Sequence, residues 1–242
     1  MELLRSHFRA LGGRSVPRQV MLGGAAYRLC LTFKHSFMAA VALYRRGADR
    51  VVCKFHRKAP FFGTPLAWLG RRAADYESVV LEQLHDIEGV PRIRGRPSRC
   101  AVARDYVPGE PLTRDTEVND QFFPRLFRML REIHRHGIAY VDLEKSENIL
   151  LGEDGRPHLI DFQIAFYVPD RLLGNTFPFR LIRKRLQEAD RYHAGKHMRR
   201  IRPDLMTPEE RARTRRKPAL VRAANYFYSP LKEFFRWLKG KQ

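Results

Sequence analysis

The sequence contains no apolar run approaching the roughly 20 residues that a membrane-spanning helix requires, so an integral membrane protein is not expected. Cysteine is scarce: Cys30, Cys53 and Cys100 are odd in number, widely spaced and flanked by apolar residues. A disulfide framework is therefore not expected, and reduced, buried thiols in a reducing compartment are. The first residues, from Met1 to Arg9, lack a long apolar core and a cleavage-like site, which argues against a secretory signal. A cytoplasmic location follows as the expectation. Repeats and low-complexity tracts are absent as well. Acidic residues are few: 26 Asp and Glu stand against 46 Lys and Arg, a formal charge of +20. That imbalance decides nothing about fold, but it predicts an anionic partner, whether nucleotide, nucleic acid or membrane surface.

What is present is the composition of a globular chain. With 242 residues, 44% hydrophobic and 30% charged, it suits one large domain or two small lobes and is too apolar for disorder. The first part reads as strands, from Ala26 to Thr32, Phe37 to Tyr44 and Arg50 to Phe55, with a Gly47-containing hairpin turn before the last. Leu66 to Leu84 reads as a helix, with Tyr76, Val79, Val80 and Leu84 at helical spacing. Another short strand is expected at Cys100 to Ala103. The loop Val107-Pro108-Gly109-Glu110-Pro111 marks a boundary between lobes. Beyond it, Phe122 to Arg135 reads as a helix with Phe123, Leu126, Met129, Leu130 and Ile133 on one face. Two short strands, Asn148 to Leu151 and His158 to Asp161, are joined by a turn at Glu153-Asp154-Gly155.

Three patches carry chemistry-bearing residues in order. They are Val51-Val52-Cys53-Lys54; Gly137-Ile138-Ala139-Tyr140-Val141-Asp142-Leu143 with Asn148-Ile149-Leu150; and Leu159-Ile160-Asp161-Phe162-Gln163. Taken singly, a strand lysine or a turn aspartate is ordinary structure. Taken jointly, in this order and spacing, they resemble the signature set of the protein kinase-like superfamily. The resemblance implies an α+β, two-lobed fold. Residues 1–107 would form a β-rich, nucleotide-binding N-lobe with one long helix, and residues 108–242 a mainly helical C-lobe. It implies ATP and Mg²⁺ as cofactors. Lys54 would hold phosphates, oriented by Glu77, with Glu82 as the competing choice. Asn148 and Asp161 would offer oxygen ligands to Mg²⁺. Asp142 would take or orient the proton of the acceptor hydroxyl, and Lys145 would neutralise charge on the transferring phosphate. The backbone of Asp105, Tyr106 and Val107 would meet adenine.

Four departures from the pattern are visible. No G-x-G-x-x-G precedes Lys54; the turn reads Thr32-Phe33-Lys34-His35-Ser36-Phe37-Met38, where Lys34 and Ser36 are the substitutes for phosphate cradling. Asp142 and Asn148 are six residues apart where the motif has five, which brings in Glu147 as an alternative metal ligand. Tyr140 and Val141 replace the motif's His and Arg, and Gln163 replaces the glycine after Asp-Phe. An activation-loop switch of the usual kind is thus not expected. These departures make the chain most similar to small bacterial lipopolysaccharide core sugar kinases and RIO-type kinases. The resemblance implies transfer of the γ-phosphate to a hydroxyl, on a lipopolysaccharide core sugar or other lipid-linked sugar. The alternatives are a protein Ser/Thr or small-molecule kinase, and a binding module without turnover.

The segment from Ala165 to Gln242 holds 20 Lys and Arg against 7 Asp and Glu, so it supplies +13 of the charge. It reads either as a solvated helical face or as a surface for an anionic glycolipid or membrane. Near the end, Phe227, Leu231, Phe234, Phe235 and Leu238 fall on one helical face with cations between them. That helix either packs on the core or lies peripherally on the inner face of the cytoplasmic membrane. Nucleic acid is the weaker reading, suggested by net charge alone. His193 and His197 have the i, i+4 spacing of metal ligands, but no third ligand accompanies them, so no structural metal is expected.

Overall fold

Alternation along one strand organises the first half of the chain. In β4 (Asp49–His56), Val51, Cys53 and Phe55 point to one face of the sheet and Val52, Lys54 and His56 to the other. The first set joins Ala40, Ala42, Tyr44, Ala101 and Ala103 in a core closed by Val16 and Val20. The second set faces a helix. The structure, a computed structural model, describes residues 8–61, 63–169 and 174–216.

The chain divides into two compact units. One comprises the residues up to Glu110 together with His158–Ile164; the other comprises Pro111–Pro157 together with the residues from Ala165 onward. The first unit contains β1 (Gln19–Leu22), β2 (Ala25–His35), β3 (Ala39–Arg46), β4, α1 (Ala67–Gln83), β5 (Ile93–Ser98) and β6 (Ala101–Asp105). Its strands form one antiparallel sheet in the order β1-β2-β3-β4-β6-β5. Gly47, at φ 59°, supplies the left-handed residue of the β3–β4 hairpin.

Two strands of this sheet go beyond the sequence reading. β1 has only four residues, too few for a period to show. β5 reads Ile-Arg-Gly-Arg-Pro-Ser, poor in β-formers, with register shifts on either side of Gly95. Ion pairs accompany the β5 pairing: Arg94 reaches Asp49 at 2.9 Å and Asp105 at 3.1 Å, and Arg96 pairs with Asp75.

Helix α1 corrects the apolar phasing. Its buried residues are Gly70, Ala74, Glu77, Ser78, Val80 and Leu81, whereas Val79 is exposed. The inward face carries a carboxylate, so apolar spacing alone misplaces it. The cysteine expectation is corrected in part as well. Cys53 and Cys100 are buried, but Cys30 lies exposed on β2; all three are free thiols. Burial pushes the Cys53 thiol up to about 12.

The return segment His158–Ile164 belongs with the first unit although it follows α2 in sequence. The Leu159 N–H donates to the Gly89 carbonyl at 2.9 Å. The second unit contains α2 (Phe122–Arg135), a short 3₁₀ turn (Ser146–Asn148), β8 (Ile149–Gly152), α3 (Phe177–Ile201) and α4 (Pro208–Arg215). β7 (Gly109–Pro111), β8 and β9 (Pro157–Leu159) pair in that order, and the chain crosses between units within β7 and β9. α2 has the expected span and buries Phe122, Phe123, Leu126, Met129, Leu130 and Ile133. α3 takes in the basic run Arg183-Lys184-Arg185. α4 begins with a capping box between Thr207 and Glu210. The aromatic segment from Phe227 to Leu238 lies outside the described residues. Among the described residues, no helix is long and apolar enough to cross a membrane.

Gly70 is where α1 meets the chain just after β4. A Cβ placed there would run into the Arg57 carbonyl oxygen, which is backbone and cannot swing aside. Gly70→Ala is expected to lower the unfolding free energy by about 1–3 kcal/mol despite its better helix propensity, measured by denaturant titration.

Candidate functional site

The side chain of Lys54 is almost fully buried, which is costly for an ammonium unless it is paired. Two carboxylates pair it. Glu77 Oε1 and Oε2 both lie 3.2 Å from Nζ, and Asp161 Oδ1 lies 2.5 Å from it. Glu77 comes from α1, three residues after Ala74 on the buried face of the helix. Glu82, the competing residue, is exposed. His56, two residues beyond Lys54 on the same strand face, places Nε2 3.0 Å from Glu77 Oε2. Burial works to raise the Glu77 pKa, but the Lys54 charge and the His56 ring outweigh it, and the carboxyl sits below its ordinary value.

Asp161 arrives on the return segment. Its φ is 70°, in the left-handed region that aspartate tolerates better than most residues. Burial again works to raise its pKa. The Lys54 ammonium, with help from Arg104 and the Gln163 backbone, pulls it down to about 2.

The second unit builds a separate cluster. Asp142 is buried, and its Oδ2 accepts from Lys145 Nζ at 2.8 Å and Asn148 Nδ2 at 2.9 Å. Asn148 Nδ2 also reaches the Asp142 carbonyl at 3.2 Å. The Asn148 amide nitrogen is committed to these bonds, and among the described residues no hydrogen bond engages Asn148 Oδ1 or Asp142 Oδ1. Glu147, the alternative ligand, is exposed, whereas Asn148 is buried.

The loop carrying Asp142 is anchored by a residue that motif reading passed over. Asp190, on α3 and almost fully buried, accepts from the Tyr140 N–H and the Val141 N–H, each at 2.8 Å. It also lies 3.0 Å from His134 Nε2 of α2. Val141 needs that anchor: its φ is 71°, a genuine outlier for a β-branched residue. One carboxylate with two parallel acceptors holds the strained peptide in place. His197, also on α3, lies with Nε2 2.8 Å from the Leu143 carbonyl, and His193 is buried nearby with its pKa lowered by burial to about 4. His197 thus backs the loop. The sequence signal available was a lone aspartate in a basic helix, at helical spacing from both histidines.

The remaining residues are placed as follows. The Ser36 hydroxyl is engaged in its own turn, donating to the Ala39 carbonyl at 3.0 Å and accepting from the Ala39 N–H at 3.3 Å. Asp105 ends β6, with its N–H bound to the Arg92 carbonyl at 2.9 Å. The Tyr106 ring is covered by the Arg50 guanidinium, 4.6 Å from its centroid. Asp105 and Val107 line a pocket of about 330 Å³ with Val90, Arg92 and His158.

The donor chemistry fits Mg²⁺. It favours one or two carboxylates completed by waters and phosphate oxygens rather than a protein cage. Asp161 and the free Asn148 Oδ1 are hard oxygen donors of that kind. Among the described residues, no cluster of three or more His, Cys, Asp or Glu offers such a cage.

Two outcomes follow. Asp190→Ala strands two buried N–H groups, at about 1–3 kcal/mol each, and is expected to lower stability by about 2–5 kcal/mol in denaturant titration. The Asp161 carboxyl is lower in the folded chain than in the unfolded one, where it is about 3.9. Its stabilisation is therefore complete above that pH and lost as the pH falls towards 2. Melting temperatures of the wild type and Asp161→Asn are expected to differ at about pH 5 and to converge in acid.

No protein-family model matches the chain, and no curated protein matches it in sequence. Among solved structures, the chain is similar to the Rio2 kinase of Chaetomium thermophilum, determined as an ADP/Mg²⁺-phosphoaspartate complex. The TM-score is 0.53 at 15% sequence identity, over 92% of this chain and 73% of that one. A β-rich N-terminal sheet followed by a helical C-terminal part gives this chain the Rio form of the protein kinase-like fold.

Proposed function

We propose that the protein is an ATP-dependent phosphotransferase that phosphorylates a hydroxyl group. The observation that carries this reading is Lys54, held buried between Glu77 and Asp161. A lysine so fixed presents a point cation to phosphate oxygens without first having to be ordered. The nucleotide and Mg²⁺ of the Rio2 complex support the same ligands here. Mg²⁺, when bound, supplies positive charge for the phosphate oxygens, and Asp161 and Asn148 are the residues that would hold it.

The chain's own residues then divide the work. Glu77 pairs with Lys54 and aims it. Asp105, Tyr106 and Val107 supply backbone groups for adenine, and Asp105 and Val107 edge the pocket beside β6. Asp142 Oδ1, free while Oδ2 is held by Lys145 and Asn148, accepts the proton of the attacking hydroxyl. The new bond joins that oxygen to the γ-phosphorus. The bond from the γ-phosphorus to the β–γ bridging oxygen breaks, and ADP leaves. Lys145 offsets charge on the phosphoryl group in transit. Ser36, occupied by its turn, has the least to offer the phosphates, and that leaves the task to Lys54.

For the acceptor, the proposal is a sugar hydroxyl on an anionic lipid-linked glycan, such as a lipopolysaccharide core. The charge of +20 supports it. So does the outer part of α3, where exposed Phe177, Leu181 and Ile182 stand among Arg180, Lys184 and Arg185, a mixture suited to an anionic amphiphile. Peripheral attachment to a membrane surface belongs to the same proposal. A second reading, nucleotide binding without turnover, is favoured by the β2–β3 turn, which has three residues and no glycine.

The test is γ-labelled ATP with Mg²⁺ and a lysate fractionated into lipid, protein and small molecules. Label in the glycolipid fraction is expected. Lys54→Met, Asp142→Asn and Asp161→Asn are each expected to lower transfer by about 10²-fold or more. Label in protein or small molecules retains the phosphotransferase and discards the glycan. Binding of ATP without label in any fraction selects the second reading.

A further inference from the structure

The sheet of the first unit presents Lys54 on one face. Its other face opens into a cleft of about 740 Å³ that the phosphate chemistry does not use. Phe55, the neighbour of Lys54 along β4, points this way and forms part of the cleft wall with Val20 and Met21 of β1. Pro17, Pro60 and Pro97 also line it, and their fixed backbone angles favour a preformed cavity. The volume lies in the range of about 300–1,000 Å³ typical of small-molecule sites.

The charged groups of the cleft are of one sign, beside the neutral Ser15, Gln19 and Ser98. Arg14 and Lys58 line it, both exposed, and neither side chain makes an ion pair or hydrogen bond among the described residues. No Asp or Glu lines it. Independently, the Ser98 Oγ, which also lines the cleft, is shut off from solvent and has no hydrogen-bond partner. An unpaired buried hydroxyl is costly, so a polar partner there is favoured. The turn at Gly12-Gly13 contributes bare backbone to the same rim, with Gly12 at φ 67° and a Cβ there touching Ala59.

We propose that this cleft binds a small amphipathic anion. Its phosphate or carboxylate head meets Arg14 and Lys58, with Ser98 beside them, and its apolar body lies against the wall that includes Phe55, Val20 and Met21. The site is distinct from Lys54 because successive residues of β4 face opposite sides of the sheet.

Octyl phosphate and octanoate are the probes, titrated calorimetrically into the full chain, with octanol and inorganic phosphate as the headless and tailless controls. One saturable site per chain is expected, at least tenfold tighter for a probe than for either control. Octanoate binding as well as octyl phosphate points to any single anionic head; octyl phosphate alone points to phosphate. The Arg14→Ala/Lys58→Ala variant is expected to weaken binding at least tenfold with an unchanged melting temperature, since both side chains are exposed. Met21→Glu, at another exposed position, is expected to do the same by repulsion. Lys54→Met is expected to leave probe binding unaltered. Undiminished binding in the Arg14/Lys58 variant, loss in Lys54→Met, displacement by ATP, or no saturable binding overturns the proposal, and none of these bears on phosphate transfer.

Discussion

A buried ammonium must be paired, and the first unit is arranged around that requirement. Lys54 lies on the middle of a six-stranded sheet with almost no solvent to share its charge. Its partners come from two places, a helix that follows the strand and a segment 107 residues further on. The need for Glu77 explains why α1 turns a carboxylate inward and leaves Val79 outside. The need for Asp161 explains why a short return segment belongs to a unit whose other residues all precede it. Removing either partner leaves a buried charge half-compensated, a situation that costs more than the pair itself contributes.

The second unit solves a related problem with the opposite sign. There the buried charge is a carboxylate, Asp190, and the groups it satisfies are backbone N–H donors of a strained loop. Hydrogen bonds to a charged acceptor are about twice as strong as neutral ones, which makes one aspartate enough to hold Val141 in the left-handed region. The chemistry-bearing Asp142 is the next residue. Its geometry is inherited from an anchor on a different helix, while its own side chain stays available on Oδ1.

Much of this was legible in the sequence, for identifiable reasons. The order and spacing of Lys54, Asp142, Asn148 and Asp161 pointed to the fold, and apolar periodicity located α2 to the residue. Glu77 was preferred to Glu82 because its stretch resembles the kinase family's helix, and the structure brings Glu77 to Lys54. The rest was illegible because its signals are not periodic. β5 is held by arginine pairs and a glycine bulge instead of by β-forming residues. Asp190 acts on backbone atoms, which leave no trace in a motif. The contact of His197 with the Leu143 carbonyl was hidden within a run of cations. Cys30, flanked by Leu29 and Leu31, read as interior, yet of these three only Leu29 packs against the core, and Cys30 and Leu31 are exposed.

The return segment has a consequence for the order in which the protein can take shape during synthesis. A chain released residue by residue presents the sheet and α1 early, but Asp161 and the Leu159 link to Gly89 emerge only after α2 has been made. Until then the lysine at the centre of the sheet has one carboxylate instead of two. Domains ordinarily fold as units behind the ribosome. Here the N-terminal unit lacks its last segment until the middle of the second has been translated, so the residues up to Glu110, cut out alone, would leave Asp161 behind.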